Sequence, residues 1–329
     1  MSNLTLSLAI GEYDHVRDLL DESVRIAGVD LTVLRLPIEE IFYRSTFHRE
    51  FDVCEMSFAK IVALASQGDS PFVPLPVFPS RVFRHSSIYV RTDGGLDDPR
   101  QLLGKRVGVP EWAQTAAVYT RGMLAHDYAV DLGSIRWFQA GVNAPGRREK
   151  VALKLPKGVE LTVVPDQSLS QMLVDNQLDA VLSARPPAPF LAGDSRIRRL
   201  FADARSVEQE YARRTGIFPI MHVVALRRDH YERAHWLAMN LVTAFEEAKR
   251  RSLARLDDRT ASFYPIPWVG DSLHAMRALF GDDPWPYGIE ANRVTLDAFL
   301  RYAFEQGVAH RRLTIEALFP AEVASRYVV

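Results

Sequence analysis

The sequence predicts an α/β protein with two lobes, a two-stranded hinge and a ligand cleft between the lobes. Strand-like segments alternate with segments of helical periodicity from Leu4 onward. A second series of such units begins near residue 90, and a strongly β-forming segment near residue 222 returns the chain to the first series. We therefore expect residues 1–88 and 222–329 to form lobe 1, and residues 89–221 to form lobe 2.

The first lobe is predicted from three strands, each followed by a helix, at Leu4–Ile10, Val29–Leu36 and Asp52–Glu55. The third of these helices begins at Ser57. This βαβαβα order implies a parallel sheet, and ligands bind beyond the carboxyl ends of the strands in such sheets. Glu55 and Ser57 are therefore candidates for the ligand site.

The stretch from Gly104 to Leu124 organises the second lobe. A short strand, Arg106–Val109, turns directly into a helix whose small and apolar residues recur at helical spacing. The first N–H groups of a helix are unpaired, and together with the helix dipole they favour an anion. Trp112, Gln114 and Thr115 are expected at this helix start, where they would add stacking and hydrogen bonds to a ligand. An ordinary strand-to-helix turn is the alternative interpretation.

Two further strands complete the predicted cleft. The segment Asp179–Ser183 has the composition of a buried strand and delivers Arg185 at its end. The segment Met221–Leu226 precedes a long helix and is expected to run beside the strand that starts at Ile88, so that both form the hinge. This is the layout of a type II periplasmic-binding-protein fold, which accepts many kinds of ligand and does not by itself name the chemistry.

Composition argues against several classes of partner. The net charge is −1 over 329 residues, which gives no support to a nucleic-acid groove or to binding at an anionic membrane surface. No apolar run approaches the ~20 residues that span a bilayer. The N-terminal residues show neither the basic nor the apolar region of a signal peptide, so we expect a cytoplasmic protein. The sequence leaves the oligomeric state open, with a homo-oligomer as one possibility.

The sequence contains no recognisable metal or cofactor motif. Its nine histidines form no HExxH or HxH motif, and its single cysteine, Cys54, excludes a thiolate cluster. There is no GxGxxG after a strand, no P-loop and no GxSxG. We therefore expect neither a metal nor a cofactor, with the convergence of scattered histidines and carboxylates as the alternative. Cys54 is predicted to be a small buried residue rather than a nucleophile.

Arginines and histidines near the predicted cleft suggest an acid–base site for a carboxylate. Arg81, Arg84 and Arg185 suit bidentate carboxylate binding, although each arginine alone is more often a surface residue. His85 and His222 fall near the two hinge strands. A lone histidine is usually structural, but two at one cleft floor are candidates for proton transfer.

Five segments, taken in order and spacing, resemble the 4,5-dihydroxyphthalate decarboxylase family: PSRVFRHSSIYV, GVPEWAQTAAVYTRG, LSARPP, TGIFPIMH and WPYGIEANR. The resemblance extends over nearly the whole chain. It implies a cytoplasmic aromatic-acid decarboxylase on a solute-binding-protein-like fold, which converts 4,5-dihydroxyphthalate to protocatechuate and CO2. Related proteins that act on another hydroxylated aromatic acid are the alternative.

The chemistry of that reaction assigns roles to the candidate residues. Each carboxylate of 4,5-dihydroxyphthalate is para to a hydroxyl, so deprotonation of that hydroxyl pushes electrons onto the ring carbon that loses CO2. The reaction needs a base, an acid and cations for the carboxylate that stays, but no cofactor. Arg81, Arg84 and Arg185 are expected to clamp the carboxylate, and His85 and His222 to act as acid and base in either order. Glu55 or Glu111 would orient a histidine or accept the phenol proton. Further substrate contacts are expected from Ser57, Trp112, Gln114 and Thr115.

Two other classes of protein share the predicted cleft. A non-enzymatic solute-binding or sensor protein for an aromatic carboxylate would have the same arginine clamp, but no reason for two histidines at the hinge. Another small-molecule enzyme of this fold, such as one in thiamine-pyrimidine or menaquinone-precursor synthesis, is the third interpretation. Release of CO2 from 4,5-dihydroxyphthalate would separate the three.

Overall fold

A computed structural model describes residues 3–68, 70–258, 260–261 and 263–324 of the chain. Residues 1–2, 69, 259, 262 and 325–329 of the predicted first lobe lie outside the described residues. Within the described ranges, the strands form two six-stranded sheets. The strands are β1 (Leu4–Ile10), β2 (Val29–Arg35), β3 (Val53–Ser57), β4 (Phe72–Pro74), β5 (Ser80–Arg81), β6 (Ile88–Arg91), β7 (Arg106–Val109), β8 (Arg136–Gly141), β9 (Leu161–Ser168), β10 (Ala180–Leu182), β11 (Ile197–Arg199) and β12 (Ile220–Arg227).

Helices connect many of the strands and form most of the described chain after β12. The long helix expected there is split in two at Ala234, whose backbone leaves the helical region at φ −152° and ψ 77°. None of the helices in the described ranges has both the length and the apolar character needed to cross a membrane. The helices are α1 (Arg17–Leu20), α2 (Ile38–His48), α3 (Phe58–Gln67), α4 (Thr115–Asp127), α5 (Leu169–Val174), α6 (Ala188–Leu191), α7 (Ala204–Thr215), α8 (Arg228–Arg233), α9 (Trp236–Asp257), α10 (Val269–Phe280), α11 (Arg293–Glu305) and α12 (Ile315–Leu318).

The first sheet has the strand order β2-β1-β3-β12-β4, with β5 also paired to β12. β1 runs parallel to β2 and β3, as the βαβ order predicts, whereas β12 runs antiparallel to β3. β3 lies between two strands, and all five of its residues are buried. Ser57 at its carboxyl end pairs with His222 of β12. A strand from late in the chain therefore lies inside this sheet, between β3 and β4.

The second sheet has the strand order β11-β6-β10-β7-β8-β9. β7 runs parallel to β10 and β8, and β8 runs parallel to β9, while β6 is antiparallel to β10 and β11. β7 ends at Val109, and the chain turns through residues 110–114 into α4. This is the strand-to-helix unit that the sequence predicts.

The two strands predicted to run side by side as a hinge lie in different sheets. β6 pairs with β10 and β11, whereas β12 pairs with β3, β4 and β5. That prediction is therefore wrong. The start of β12 pairs instead with β5, where Ser80 lies opposite His222 and Arg81 opposite Ile220. The lobe boundaries at residues 88 and 222 stay a prediction.

Helix α11 packs against both α3 and α4. Phe299 of α11 stacks on Phe58 of α3, with ring centroids 4.6 Å apart, and its ring lies 4.8 Å from that of Tyr119 in α4. The close approach of α4 and α11 depends on Gly122, because a Cβ atom there would lie 2.2 Å from the ring of Tyr302. α11 therefore fixes α3 and α4 relative to each other.

Candidate active site

A cavity of about 360 Å³ lies where α3 and α4 begin, and it is lined by side chains from the first sheet and from the connections that follow strands of both sheets. Five cationic side chains and two carboxylates face it, so its charge favours an anionic ligand. One part of the lining is apolar. The lining residues are the cationic Lys60, Arg84, Arg147, Lys150 and Arg185; the acidic Glu39 and Glu111; the polar Thr46, Ser57, Gln114, Thr115 and His222; and the apolar Ile38, Phe42, Ala116, Ala184 and Met221.

Glu55 and His222 form a hydrogen-bonded pair at this cavity. On the neighbouring strands β3 and β12, Glu55 lies opposite Val224 and Ser57 opposite His222. Because side chains alternate along a strand, all four share one face of the sheet, and Glu55 and His222 are diagonal neighbours. His222 Nδ1 lies 2.6 Å from Glu55 Oε1. A carboxylate only accepts hydrogen bonds, so Nδ1 carries the proton and Nε2 is left to meet a ligand.

Glu55 is fully buried and accepts two further hydrogen bonds. The Tyr13 hydroxyl donates to Oε1 over 2.7 Å, and the Gly11 N–H donates to Oε2 over 3.0 Å. Burial, and then the negative charge of Glu55, raise the pKa of Tyr13 far above its usual value. A side chain at Gly11 would require Ile38 to move, because a Cβ atom there would lie 2.7 Å from Ile38 Cδ1. These donors satisfy a buried carboxylate that would otherwise be costly.

Arg84 is the cation most available to a ligand. Its guanidinium donates to the Met221 thioether (Nη2–Sδ 2.8 Å) and to the Ser87 hydroxyl (3.5 Å). No carboxylate in the described part of the chain lies within ion-pair distance of it. Burial lowers the pKa of Arg84 to about 10, with Glu208 acting in the opposite direction. A partly buried guanidinium without a carboxylate partner suits a bidentate bond to a substrate carboxylate.

Glu111 is held by three cations. Its Oε2 lies 2.7 Å from Lys60 Nζ, and its Oε1 lies 2.7 Å from Arg147 Nε and 3.6 Å from Lys150 Nζ. Burial alone would raise the pKa of Glu111, but the charges of Lys60, Arg147 and Lys150 outweigh it and hold this pKa below its usual value. Lys60 also bonds Glu149 at 3.0 Å. This geometry argues against the predicted role of Glu111 as a base, because a carboxylate so strongly paired is a poor proton acceptor.

The starts of α3 and α4 meet through hydroxyl groups. Ser57 Oγ and Thr115 Oγ1 are 2.9 Å apart, and Thr115 Oγ1 accepts a hydrogen bond from the Ala59 N–H over 3.0 Å. Gln114 precedes α4 and lines the cavity, where its buried Oε1 has no hydrogen-bond partner among the described residues. Ser57, Thr115 and Gln114 therefore lie where the sequence predicts substrate contacts.

Arg185 lies at the exposed mouth of the cavity. Two-thirds of its side chain is exposed, and its Nη2 lies 3.4 Å from Glu39 Oε1. Arg147 reaches the same oxygen at 3.5 Å. A second cavity of about 380 Å³ adjoins the first, and the two share Glu39, Gln114, Arg147 and Arg185 in their linings. Arg185 therefore faces the entrance rather than the buried end of the cleft.

Sequence comparison assigns the chain to a family. It is 41% identical over 327 residues to the 4,5-dihydroxyphthalate decarboxylase of Comamonas testosteroni, covering 99% of both chains. The chain belongs to the 4,5-dihydroxyphthalate decarboxylase family. The Pseudomonas putida protein of the same name is 39% identical over 214 residues, which cover 65% of this chain and 83% of that protein. No protein-family model matches the sequence.

Structural comparison confirms the predicted fold of this decarboxylase-family chain. The periplasmic aliphatic sulphonate binding protein SsuA from Escherichia coli superposes with a TM-score of 0.56 at 10% identity, covering 98% of this chain and 99% of SsuA. A putative periplasmic sulfonate-binding protein from Methylobacillus flagellatus gives a TM-score of 0.56 at 12% identity, covering 98% and 93%. The two sheets are thus those of a two-lobed periplasmic-binding-protein fold.

His85 of this family member lies apart from the Glu55–His222 pair. It is buried against Phe201 and Tyr211, with ring centroids 5.3 and 5.0 Å away, and it does not line the cavity. Burial lowers the pKa of His85 to about 4. The prediction that His85 and His222 share one cleft floor is wrong, because β12 pairs at His222 with Ser80 and Ser57 instead.

Arg81 and Trp112 are also not at the cavity, contrary to prediction. Arg81 donates to the backbone oxygens of Phe218 (3.0 Å) and Pro286 (2.7 Å), and it bonds the side chain of Asn292. Trp112 is fully buried, and its Nε1–H donates to the backbone oxygen of Gln306 over 2.8 Å. Both side chains connect distant segments, so their roles are structural in this fold.

Three functional candidates of this decarboxylase-family site were not selected from the sequence: Tyr13, Lys60 and Arg147. Lys60 carries a usable signal, since a lysine inside the apolar helix start FAKIVALA needs a buried partner. Arg147 lies in the charged segment 147–150, and a run of charges of this kind is typical of a solvated surface. Its pairing with Glu111 contradicts that interpretation.

The structure gives no candidate metal centre within the described ranges. No group of three or more histidine, cysteine, aspartate or glutamate side chains in those ranges is arranged to hold an ion. The expectation of a metal-free and cofactor-free site stays a prediction. Cys54 is fully buried, and burial raises the pKa of its thiol to about 12, which agrees with its predicted role as a small core residue.

Proposed function

We propose that this protein decarboxylates 4,5-dihydroxyphthalate to protocatechuate and CO2, with no metal or organic cofactor. Family membership supports the reaction and its substrate. The observation that carries the mechanism is the Glu55–His222 pair at a cavity that also contains the unpaired guanidinium of Arg84. We also propose that the enzyme works in the cytoplasm, in phthalate degradation. A homo-oligomer stays a prediction.

The cavity lining suits a dicarboxylate with an aromatic ring. Arg84 would hold the carboxylate that stays, and Ser57 and Gln114 would add hydrogen bonds. Arg185 would guide the dianion through the mouth of the cleft, where an exposed charge acts mainly on the rate of association. The ring would pack against Phe42 and Met221, which leaves the departing carboxylate in less polar surroundings that favour neutral CO2.

The proposed reaction consumes one proton overall, which replaces the carboxylate on the ring carbon. The phenol para to the departing carboxylate loses its proton to solvent, and its electrons move through the ring to the carboxylate-bearing carbon. The His222 imidazolium then protonates that carbon. The carbon–carboxylate bond breaks, its electron pair restores the aromatic ring, and CO2 leaves. His222 and the phenolate regain protons from solvent. Glu55 stabilises the imidazolium and fixes its orientation, as a buried carboxylate does for a catalytic histidine.

The test is direct incubation of the purified protein, dialysed against EDTA, with 4,5-dihydroxyphthalate. We expect stoichiometric protocatechuate and CO2. Phthalate, which lacks both hydroxyls, should bind without reacting, because no phenolate can form. If the folded protein binds 4,5-dihydroxyphthalate and releases no CO2, the proposed function is wrong and a solute-binding role replaces it.

A further inference from the structure

Tyr13 occupies a position that the mechanism above does not use. It lies in the loop after β1, and its hydroxyl donates to Glu55 Oε1 over 2.7 Å. The same oxygen lies 2.6 Å from His222 Nδ1. Tyr13 is not among the residues that line the cavity. Any effect of Tyr13 on the reaction must therefore pass through Glu55 rather than through contact with the substrate.

We propose that Tyr13 is a positioning residue that makes His222 a stronger acid, an inference that rests on the proposed function. Two donors share one carboxylate oxygen, and each takes part of its negative charge. The Tyr13 hydrogen bond therefore weakens the attraction between Glu55 and the His222 proton. Without it, Glu55 would hold the imidazolium more tightly, and the proton would pass to the ring carbon more slowly.

The surroundings of Tyr13 keep it a donor. Burial and the charge of Glu55 raise its pKa, so the phenol stays protonated near neutral pH. Its ring lies 5.4 Å from that of His15, which in turn lies 5.4 Å from the ring of Trp285. This aromatic row holds the phenol in place independently of its hydroxyl, so loss of the hydroxyl should leave the ring where it is.

Other ionisable groups near the pair do not change charge around neutral pH. His15, in the loop after β1, has a pKa lowered to about 4 by burial. Burial raises the pKa of the Cys54 thiol on β3 to about 12, and it raises that of Tyr287, in the C-terminal segment, well above its usual value. On the cavity side, His222 shares the lining with Arg84, whose pKa of about 10 keeps it charged. The other charged groups of the lining are in ion pairs: Glu111 with Lys60, Arg147 and Lys150, and Glu39 with Arg185. A change in the pH profile near neutrality therefore reports on the Glu55–His222 pair.

The test compares kcat and KM of the wild-type enzyme and Tyr13→Phe across pH. Loss of one hydrogen bond to a charged group is expected to move the alkaline limb of the kcat profile upward by about one pH unit. On the acidic plateau of the profile, where the acid is protonated in both enzymes, kcat should fall roughly threefold to tenfold, following Brønsted behaviour, while KM stays within about twofold because Tyr13 does not line the cavity. Tyr43→Phe is the matched control, since Tyr43 is half-exposed on α2 and packs on Phe47. It should leave both parameters and the profile unchanged.

A second variant protects the test against a folding defect. Tyr13→Met fills the same space with a flexible apolar side chain and should shift the profile in the same direction. If Tyr13 had a purely structural role, its replacement would lower the amount of folded enzyme without moving the alkaline limb of the kcat profile. A Tyr13→Phe profile that superimposes on the wild-type profile would overturn the inference. Wild-type enzyme with no activity on 4,5-dihydroxyphthalate would instead overturn the proposed function, so the two failures are distinct.

Discussion

At the scale of single residues, ion pairing decides which cations are free for a substrate. Lys60 and Arg147 are held by Glu111, and Arg185 is exposed with one long contact to Glu39. Arg84 is partly buried and meets a thioether instead of a carboxylate. Arg84 is therefore the residue whose loss should weaken substrate binding most.

Replacing Arg84 and Arg185 one at a time tests this ranking. We expect Arg84→Gln to weaken binding of phthalate by roughly 2–5 kcal/mol, as for a buried charge pair that loses one partner. Arg185→Gln should cost less than about 1 kcal/mol, because exposed pairs are weak. Titration calorimetry measures both, with exposed Arg205→Gln on α7 as the control. Equal losses for the two variants would contradict the assignment of Arg84 to the buried end of the cleft.

Residues on the central strands β3 and β12 were the predictable part of the site. Glu55, Ser57 and His222 lie at strand positions that the sequence pattern places beside the cleft. Arg81 and Trp112 were misplaced because their partners come from much later in the chain, at Asn292 and Gln306. No local pattern carries that information, since side-chain contacts across more than 190 residues depend on the packing of the C-terminal helices.

At the scale of elements, the packing of α4 on α11 leaves no room for a side chain at Gly122. Gly122 of α4 faces the Tyr302 ring of α11, and Trp112 at the turn before α4 bonds the Gln306 oxygen just after α11. Arg121 adds a buried bond to the Gln306 side chain over 2.8 Å. A small change at Gly122 should therefore be felt by the whole helix pair.

Gly122→Ala is expected to destabilise the protein by about 1–3 kcal/mol, the usual cost of overpacking a core. The added methyl would meet the Tyr302 ring at 2.2 Å, and this clash must exceed the ~1 kcal/mol that alanine contributes to a helix over glycine. Urea unfolding measures the difference. Gly94→Ala is the control, because its nearest neighbour would lie at 3.6 Å. A stabilised Gly122→Ala variant would show that the helices are not in contact there.

Element type was largely predictable, and strand pairing was less so. Periodicity places α3, β7 and β12 within a few residues of their observed bounds. The prediction that β6 and β12 pair was wrong because periodicity identifies a strand but not the strand beside it. A different neighbouring strand changes all the side-chain contacts across the pair. The break between α8 and α9 was missed for a similar reason, since no proline or glycine marks it in the sequence.

At the scale of the whole molecule, a buried network of ion pairs joins the segment after a strand of the first sheet to the segment after a strand of the second sheet. Lys60 lies in α3, which follows β3 of the first sheet, and it pairs with Glu111, which follows β7 of the second sheet. The Ser57–Thr115 contact and α11 add to the same junction. The charges of Lys60, Arg147 and Lys150 outweigh burial and hold the pKa of Glu111 below its usual value of 4.5. Its ionised form therefore stabilises the folded state above that pH, and this stabilisation is lost as the pH falls through the lower folded-state value.

Glu111→Gln should destabilise the folded state at pH 7 by up to about 3–5 kcal/mol, because Lys60 loses its main partner in a buried setting. Glu149, which also bonds Lys60, should reduce this loss. The difference from wild type should begin to shrink below about pH 4.5, where the carboxylate of the unfolded wild-type chain binds a proton, and it should disappear once the pH falls below the lower folded-state pKa. Chemical denaturation at several pH values measures it, with exposed Glu40→Gln on α2 as the control. A difference that stays constant down to pH 3 would argue against an ionic origin.

The turnover of His222→Asn tests the central claim most directly, namely that His222, held by Glu55, protonates the ring carbon of 4,5-dihydroxyphthalate. A positioned acid–base group contributes about 10²–10⁴-fold, so we expect kcat to fall on that scale. Binding of phthalate should stay close to the wild-type value, because Arg84 and the helix starts remain. Near-normal turnover in a folded His222→Asn enzyme would contradict the claim and assign the proton to another group.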